Sequence, residues 1–596
     1  MNWPVSCPCE GVKTMKRTKI VCTIGPASDE TSVLISMMEA GMNVARLNFS
    51  HGTRNEHARR IVAIREAAGK AGKNIAILMD TKGPEVRLGI LEQPIPLTAG
   101  QKVILTTEKV TADSLRLPVT YTNLPREVLP GNVILVADGL IELKVISTTS
   151  TEVECEVVHG GEVSSRKGVR MPGVSLKLPA VTEQDKEDIL FGIEQGLDFI
   201  ALSFVRRASD ILVVRQILEE KNMEIHVIAK IESREGLNNL EEIIKVADGI
   251  MVARGDLGVG IPVEEVPLVQ KAIIKKCNQA GKPVITATQM LESMMNNPRP
   301  TRAEAGDVAN AILDGTDALM LSGETAVGHF PVKAVETMVR IAAKMETALP
   351  YDEILERKGK KLARTVTDAI SHATCTTARD LGTAAIITST QTGHTAKMVS
   401  KYRPQAPIIA VTPQAGVLRK LALIWGVQPL LIAPIEDTDD MINSAIEISL
   451  VSGLIKPGDL VVITAGVPAG IHGTTNLLKV HLVGDILARG TGIGQCAVTG
   501  RVRICRTARE AVEKIQPGDI MVVRNTDRDY VPAIEKCAAL ITEAGGFTSH
   551  GAIVGLEFGI PVVTGIDAAR SIFNDGETVT VDGQRGLIYR GVARAL

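Results

Sequence analysis

The chain has 596 residues, too many for a single hydrophobic core, and its length predicts three to five domains. A formal net charge of -2 excludes the basic excess of a nucleic-acid-binding protein, and no apolar run approaches the ~18 residues of a membrane span. Aromatic residues make up only 3% while Ala, Val, Ile and Gly abound, the usage of α/β proteins with buried parallel strands. Cys7 and Cys9 form a lone C-x-C, too little for zinc. The other cysteines are scattered in mostly apolar contexts, as expected of reduced thiols in the cytoplasm.

Residues 1–14 lack the basic start and continuous apolar region of a secretory signal and read as a leader that adds nothing to the fold. From Met15, short β-rich runs recur: IVCTIGP (20–26), VARLNFS (44–50), IAILMDT (75–81), FIALSFV (199–205), VIAKIES (227–233), IMVARGD (250–256), PVITATQ (283–289) and ALMLSGE (318–324). Helical patterns such as TSVLISMMEAGM separate most of them. Eight strands alternating with helices predict a (β/α)8 TIM barrel over 15–82 and 181–344. Across 83–180 the helical period gives way to alternating stretches such as QKVILTT and TEVECEVV, which predict a small β domain inserted as a lid at the C-terminal rim. An α/β domain with a mainly parallel sheet is expected over 345–480. The glycine-rich stretch ARGTGIGQ then leads to a further α/β domain over 490–596.

The barrel strands turn polar at their C-terminal ends: Arg46, Asn48 and Ser50; Asp80 and Thr81; Lys230 and Glu232; Arg254 and Asp256; Thr286 and Thr288; Ser322 and Glu324. Side chains from different strands converge at a barrel mouth, where polar residues read as catalytic. Glu232 and Asp256 are hard oxygen ligands suited to Mg2+, while Arg46, Arg87 and Lys230 suit an anionic substrate. Cations with a metal are what phosphoryl transfer needs, because catalysis there is positioning and charge stabilisation. No Walker-type GxxxxGK[ST] occurs.

VARLNFSHG, DTKGPEVRLG, IAKIES, MVARGDLG, TATQMLESM, PRPTRAE and LSGETAVGHFP resemble, in order and spacing, the signature blocks of the pyruvate kinase family, in its bacterial, Bacillus-type form. The resemblance implies transfer of the phosphoryl group of phosphoenolpyruvate to ADP, giving pyruvate and ATP at the last step of glycolysis, with Mg2+ (or Mn2+) and K+, in a cytoplasmic homotetramer. By the same match, Glu232 and Asp256 hold the divalent ion, and Lys230 stabilises charge as the phosphoryl group leaves. Arg46 binds phosphate, and Gly255, Asp256 and Thr288 contact the substrate. Asn48, Ser50, Asp80 and Thr81 match the K+ site; Asn48, Phe49, Ser50, His51, Arg87 and Lys167 match nucleotide contacts. The proton donor to the enolate is expected to be Thr288, or a water relay including Ser322 and Glu324.

In STQTGHTAKMVSKYRP, hydroxyls and amides at a helix start resemble the family's sugar-phosphate effector loop, with Thr390, Thr392, Gly393, His394 and Thr395 as contacts. His394 stands where an arginine is typical, and AGVPAGIHGTTN (465–476) lacks the tryptophan and arginine that grip a second phosphate. The expected activator is therefore a monophosphate, AMP or ribose 5-phosphate. GGFTSHGAIVGLEFGIPVVTG (545–565) resembles the phosphohistidine loop of phosphoenolpyruvate-utilising enzymes, with His550 at the phosphorylated position. Gly551 replaces the usual alanine, and no ATP-grasp region accompanies the loop. The extension is therefore expected to serve stability or subunit packing more than phosphotransfer.

Overall fold

The structure is a computed structural model that describes residues 16–108, 116–137, 139–174, 176–360, 363, 365–435, 437–467, 475–484 and 486–592. The expected leader, with Cys7 and Cys9, lies outside these residues, as do residues 468–474 of the stretch AGVPAGIHGTTN. The chain divides into two compact units: residues up to Ile354 with Gln414–Pro429, and Leu355–Pro413 with Leu430 onward.

In the first unit the eight apolar runs form a closed, wholly parallel barrel. In chain order its strands are Lys19–Thr23, Val44–Asn48, Ala76–Asp80, Phe199–Leu202, His226–Ile231, Gly249–Ala253, Val284–Ala287 and Ala318–Leu321. Alternation splits each strand between two cores. Val21, Val44, Leu78, Phe199, Ile228, Met251, Ile285 and Met320 fill the barrel, while Ile20, Cys22, Leu47, Ile77, Ile200 and Val252 pack with the outer helices. That double burial explains why the strands read as near-continuous apolar runs.

Between the third and fourth barrel strands, a six-stranded sheet has the order Val169–Arg170, Val133–Val136, Ile141–Thr148, Glu152–His159, Lys102–Thr106, Arg116–Pro118. Its alternating residues Val103, Leu105, Ile134, Leu143, Val153 and Cys155 make a core of their own.

Of the stretch expected as a third domain, 345–480, residues 345–354 and 414–429 fall in the first unit, with the barrel. Ala422 and Leu423 join the barrel's interior cluster at the end opposite the mouth. There Lys19 Nζ donates to the carbonyl of Val427 (2.7 Å), and Asp198 accepts from Arg65 (3.0 Å) and Arg419 (2.6 Å). The closing segment's apolar pair is what diverts it from the surrounding sequence.

In the second unit, Ala385–Ser389 pairs in parallel with Ile408–Thr412 and Leu460–Ala465, and the last pairs antiparallel with Leu477–Leu482. An eight-stranded sheet follows, whose parallel centre is Ala497–Ile504, Asp519–Val523, Ala539–Thr542 and Val562–Thr564. Among the described residues, no helix is long and apolar enough to cross a membrane.

Candidate active site at the barrel mouth

Strand alternation builds the site. Thr23, Arg46, Asp80, Ser203, Lys230 and Glu232 each lie an even number of positions beyond an inward-facing core residue (Val21, Val44, Leu78, Ala201 and Ile228). Their side chains therefore form the last, polar layer of the barrel interior. Lys230 Nζ sits 3.0 Å from Asp80 Oδ1 and 3.0 Å from Glu232 Oε1, and donates to Ser203 Oγ (2.7 Å). Arg46 donates to Asp80 Oδ2 (2.7 Å) and to Thr23 Oγ1 (2.8 Å). The backbone N-H of Phe204 donates to Glu232 Oε2 (2.6 Å). Glu232 Oε1 is buried and, despite its nearness to Lys230, accepts no aligned hydrogen bond.

Lys230, Asp80 and Glu232 are all buried, and burial enters the titration of each. Burial opposes the charge of Lys230, but the Asp80 and Glu232 carboxylates outweigh it and hold its pKa above the ordinary lysine value. Burial likewise opposes charge on Asp80, yet Lys230 and Arg46 draw its pKa below the usual carboxylate value. Glu232 moves the other way: burial, with Asp256 adding to it, outweighs Lys230 and raises its pKa.

After the sixth strand the helix Arg254–Gly260 starts. The N-H of Gly255 donates to Thr288 Oγ1 (2.9 Å), so those two expected substrate contacts are neighbours. Thr288 adopts φ 65° and Gln289 φ 52°, a left-handed turn unfavourable for a β-branched side chain. Arg254 holds that turn, donating to the carbonyls of Thr288 (2.6 Å) and Gln289 (3.2 Å) while pairing with Asp307 (2.6 Å). Asp256 pairs with Arg170 of the inserted domain. Glu324 accepts the backbone N-H groups of Leu291 (3.0 Å) and Ser322 (2.7 Å), a loop-fixing arrangement, while Ser322 Oγ is buried without a hydrogen-bond partner.

A cavity of about 560 Å³ opens between the inserted domain and the mouth, lined among others by Arg87, Lys167, Arg170, Phe204, Glu232 and Asp256. Arg87 and Lys167 thus reach the same space as the two acidic residues. Asn48 ends the second strand instead, and Phe49, Ser50 and His51 follow it. There Asn48 Oδ1 accepts from the N-H of Ser50 (3.1 Å), and the N-H of Phe49 donates to the carbonyl of Asp80 (2.9 Å). Thr81 Oγ1 accepts from the N-H of Ser203 (3.1 Å). Sequence reasoning missed Ser203, although the fourth strand ends LSF and the rule that selected the other rim residues covers it. It also missed Arg170 and Phe204, for which the chain carries no local signal.

In the second unit, the expected effector residues surround the start of the helix His394–Lys401, with Gly393 at φ 81°. Thr390 Oγ1 accepts from the N-H of Gly393 (2.9 Å), and Thr395 Oγ1 meets Thr475 Oγ1 at 2.9 Å, so both hydroxyls already bond within the protein. His550 opens the helix His550–Phe558, capped by Ser549, and its Nδ1 lies 3.1 Å from Thr526 Oγ1. A Cβ on Gly551 would stand 3.0 Å from both Thr526 Oγ1 and Leu540 Cδ2, a tight contact that glycine avoids.

A mouth that concentrates cations and carboxylates beside a cavity suits the movement of an anionic group, and the class it defines is a barrel phosphotransferase. Residues 15–335 match the family model for the pyruvate kinase barrel domain, 368–481 that for the pyruvate kinase alpha/beta domain, and 515–586 that for the mobile domain of PEP-utilising enzymes. The pyruvate kinases of Geobacillus stearothermophilus and Bacillus licheniformis are each 54% identical, over 98% of this chain and 100% of theirs. A solved pyruvate kinase from Cryptosporidium parvum superposes with TM-score 0.75 at 40% identity, over 80% of this chain and 100% of its own. The chain belongs to the pyruvate kinase family.

Proposed function

We propose that the chain transfers the phosphoryl group of phosphoenolpyruvate to ADP at the mouth of the barrel, producing pyruvate and ATP as the last step of glycolysis in the cytoplasm. The observation that carries this reading is Lys230, fixed between Asp80 and Glu232, with Glu232 lining a cavity that Arg87 and Lys167 also line. Its ammonium stabilises the charge that develops as the phosphoryl group leaves the enolate oxygen, while Arg46, aimed by Asp80 and Thr23, holds the phosphate. Gly255 and Thr288, already bonded to each other, receive the substrate carboxylate, and Thr288, or a water relay including Ser322 and Glu324, protonates the enolate. Arg87 and Lys167 bring positive charge to ADP, with Asn48, Phe49, Ser50 and His51 completing the nucleotide contacts.

Glu232 and Asp256 fit a divalent ion. Glu232 Oε1 is a buried carboxylate oxygen with no aligned donor, and two acidic groups leave room for the substrate oxygens and waters that Mg2+ retains. Bound there, Mg2+ (or Mn2+) supplies electrostatic neutralisation of phosphoryl and enolate oxygens. Asn48, Ser50, Asp80 and Thr81 would hold K+. A homotetramer activated by a monophosphate at Thr390, Thr392, Gly393, His394 and Thr395 completes the reading. His550 carries no phosphate in it, and the C-terminal extension serves stability or subunit packing.

A coupled assay of pyruvate formation from phosphoenolpyruvate, ADP and Mg2+ tests this. It is run with and without K+, and with AMP, ribose 5-phosphate and fructose 1,6-bisphosphate in turn. Absence of ADP-dependent turnover under all conditions overturns the catalytic reading, and a response to the bisphosphate alone overturns the effector assignment.

A further inference from the structure

Four cationic residues of the inserted domain, Arg87, Arg166, Lys167 and Arg170, line the cavity at the mouth, and they are engaged differently. Arg87 pairs with its neighbour Glu85 (2.6 Å), and Arg166 and Lys167 are exposed. Arg170 reaches across to a barrel carboxylate, that of Asp256. It does so from the short strand Val169–Arg170, paired antiparallel with Leu135 and Val136. Its guanidinium also lies over the ring of Phe204, 4.6 Å from the centroid. Phe204 stands at the end of the fourth barrel strand with φ 54°, and its N-H is the donor to Glu232 Oε2. One residue of left-handed backbone thus seats Glu232 with its amide and Arg170 with its ring.

We propose that Arg170 is a resident counter-ion for Asp256 that a divalent cation must displace, so that metal binding releases a tie between the inserted domain and the barrel. The inference rests on assigning Glu232 and Asp256 to the metal. An arginine and a divalent ion compete for the same carboxylate oxygens, since the guanidinium fork and the ion both require them as acceptors. The pair is only partly buried, with the Arg170 side chain 26% exposed and that of Asp256 37% exposed, so exchange needs no deep desolvation. The stacking on Phe204 survives that exchange, because a cation-π contact does not need the carboxylate. Arg170 therefore remains in the cavity after release, its charge free for an anionic phosphate group. It is a positioning residue, acting through Asp256 and the lid.

The test is Mn2+ binding to the full-length protein without substrate, titrated by electron paramagnetic resonance of the free ion. Arg170→Gln removes the competitor and is expected to tighten Mn2+ about three- to fivefold, the upper part of the span that a partly exposed charge pair commands. Arg170→Lys keeps a positive charge and should stay within about twofold of the wild type. Glu232→Gln should abolish binding in the wild-type and Arg170→Gln backgrounds alike. Unchanged or weaker Mn2+ affinity in Arg170→Gln, with Glu232→Gln still silent, overturns the counter-ion and leaves the metal site standing. Mn2+ binding that survives Glu232→Gln removes the metal site and the counter-ion with it. A melting temperature for Arg170→Gln within a few degrees of the wild type shows that the variant reports on binding and not on folding.

Discussion

One buried cluster of charge from each unit can be set side by side, and the two are finished differently. In the second unit Asp368 accepts from Lys401 (2.7 Å), the Tyr402 hydroxyl (2.7 Å) and the N-H of Ala363 (2.6 Å), so both carboxylate oxygens are occupied. At the barrel mouth Asp80 is equally well served, but Glu232 keeps one buried oxygen without an aligned donor and Ser322 keeps an unpartnered hydroxyl. The first cluster is closed, with every Asp368 oxygen bonded within the protein, and reads as structure. The second is left short of partners where a ligand would enter. Buried charge is therefore not in itself the mark of a site, whereas buried charge that stays incompletely satisfied beside a cavity is.

The largest expected effect breaks the comparison at its functional side. Lys230→Met should lower kcat by about a thousandfold or more through loss of charge stabilisation. It should also reduce stability by roughly 3 kcal/mol, because Asp80 and Glu232 lose a buried counter-ion. The coupled assay and thermal melting read the two separately. Asp368→Asn is the matching cut in the second unit. It should cost about 2 kcal/mol by thermal melting, since charge-assisted bonds to Lys401 are lost, with basal turnover unchanged.

That variant also carries a pH signature. Although burial opposes its charge, Lys401, Tyr402 and the N-H of Ala363 hold the Asp368 pKa below its ordinary value of 3.8. The stabilisation is thus fully present above pH 3.8 and disappears as pH falls through the lowered folded value. The gap in melting temperature between wild type and Asp368→Asn should accordingly narrow in acid below that point. A gap that widens in acid contradicts the assignment.

Smaller effects test the third polar site, the helix start at His550. Gly551→Ala should destabilise by about 1 kcal/mol, because the added methyl presses on Thr526 and Leu540. His550→Ala should leave ADP-dependent pyruvate formation within about twofold of the wild type. Radiolabelled phosphoenolpyruvate should leave no acid-labile label on the wild-type chain. Label that appears on the wild type and vanishes in His550→Ala would restore a phosphotransfer role.

Much of the mouth was legible because a strand's period is rigid: once Ile228 is inside, Lys230 and Glu232 must be too. The same period makes the barrel readable from its apolar runs. Pairings that bridge distant chain positions were not legible. Arg170 meets Asp256 and Phe204 only after a whole inserted domain has folded, and nothing local in KGVRMPG announces it. The left-handed turn at Thr288 was hidden for a related reason, since its stabiliser, Arg254, lies one strand earlier and works through carbonyls that any sequence possesses. The segment 414–429 escaped because Ala422 and Leu423 look like ordinary helix interior until the barrel's open base supplies their neighbours.

That segment has a consequence for anyone dissecting the chain. A fragment ended after Ile354 would expose the barrel's floor to water, strip Lys19 of its carbonyl and Asp198 of one arginine, and should aggregate. Shuffling catalytic and regulatory modules between relatives must likewise carry this stopper along with the barrel it seals, because inheritance by linear halves would hand it to the wrong recipient.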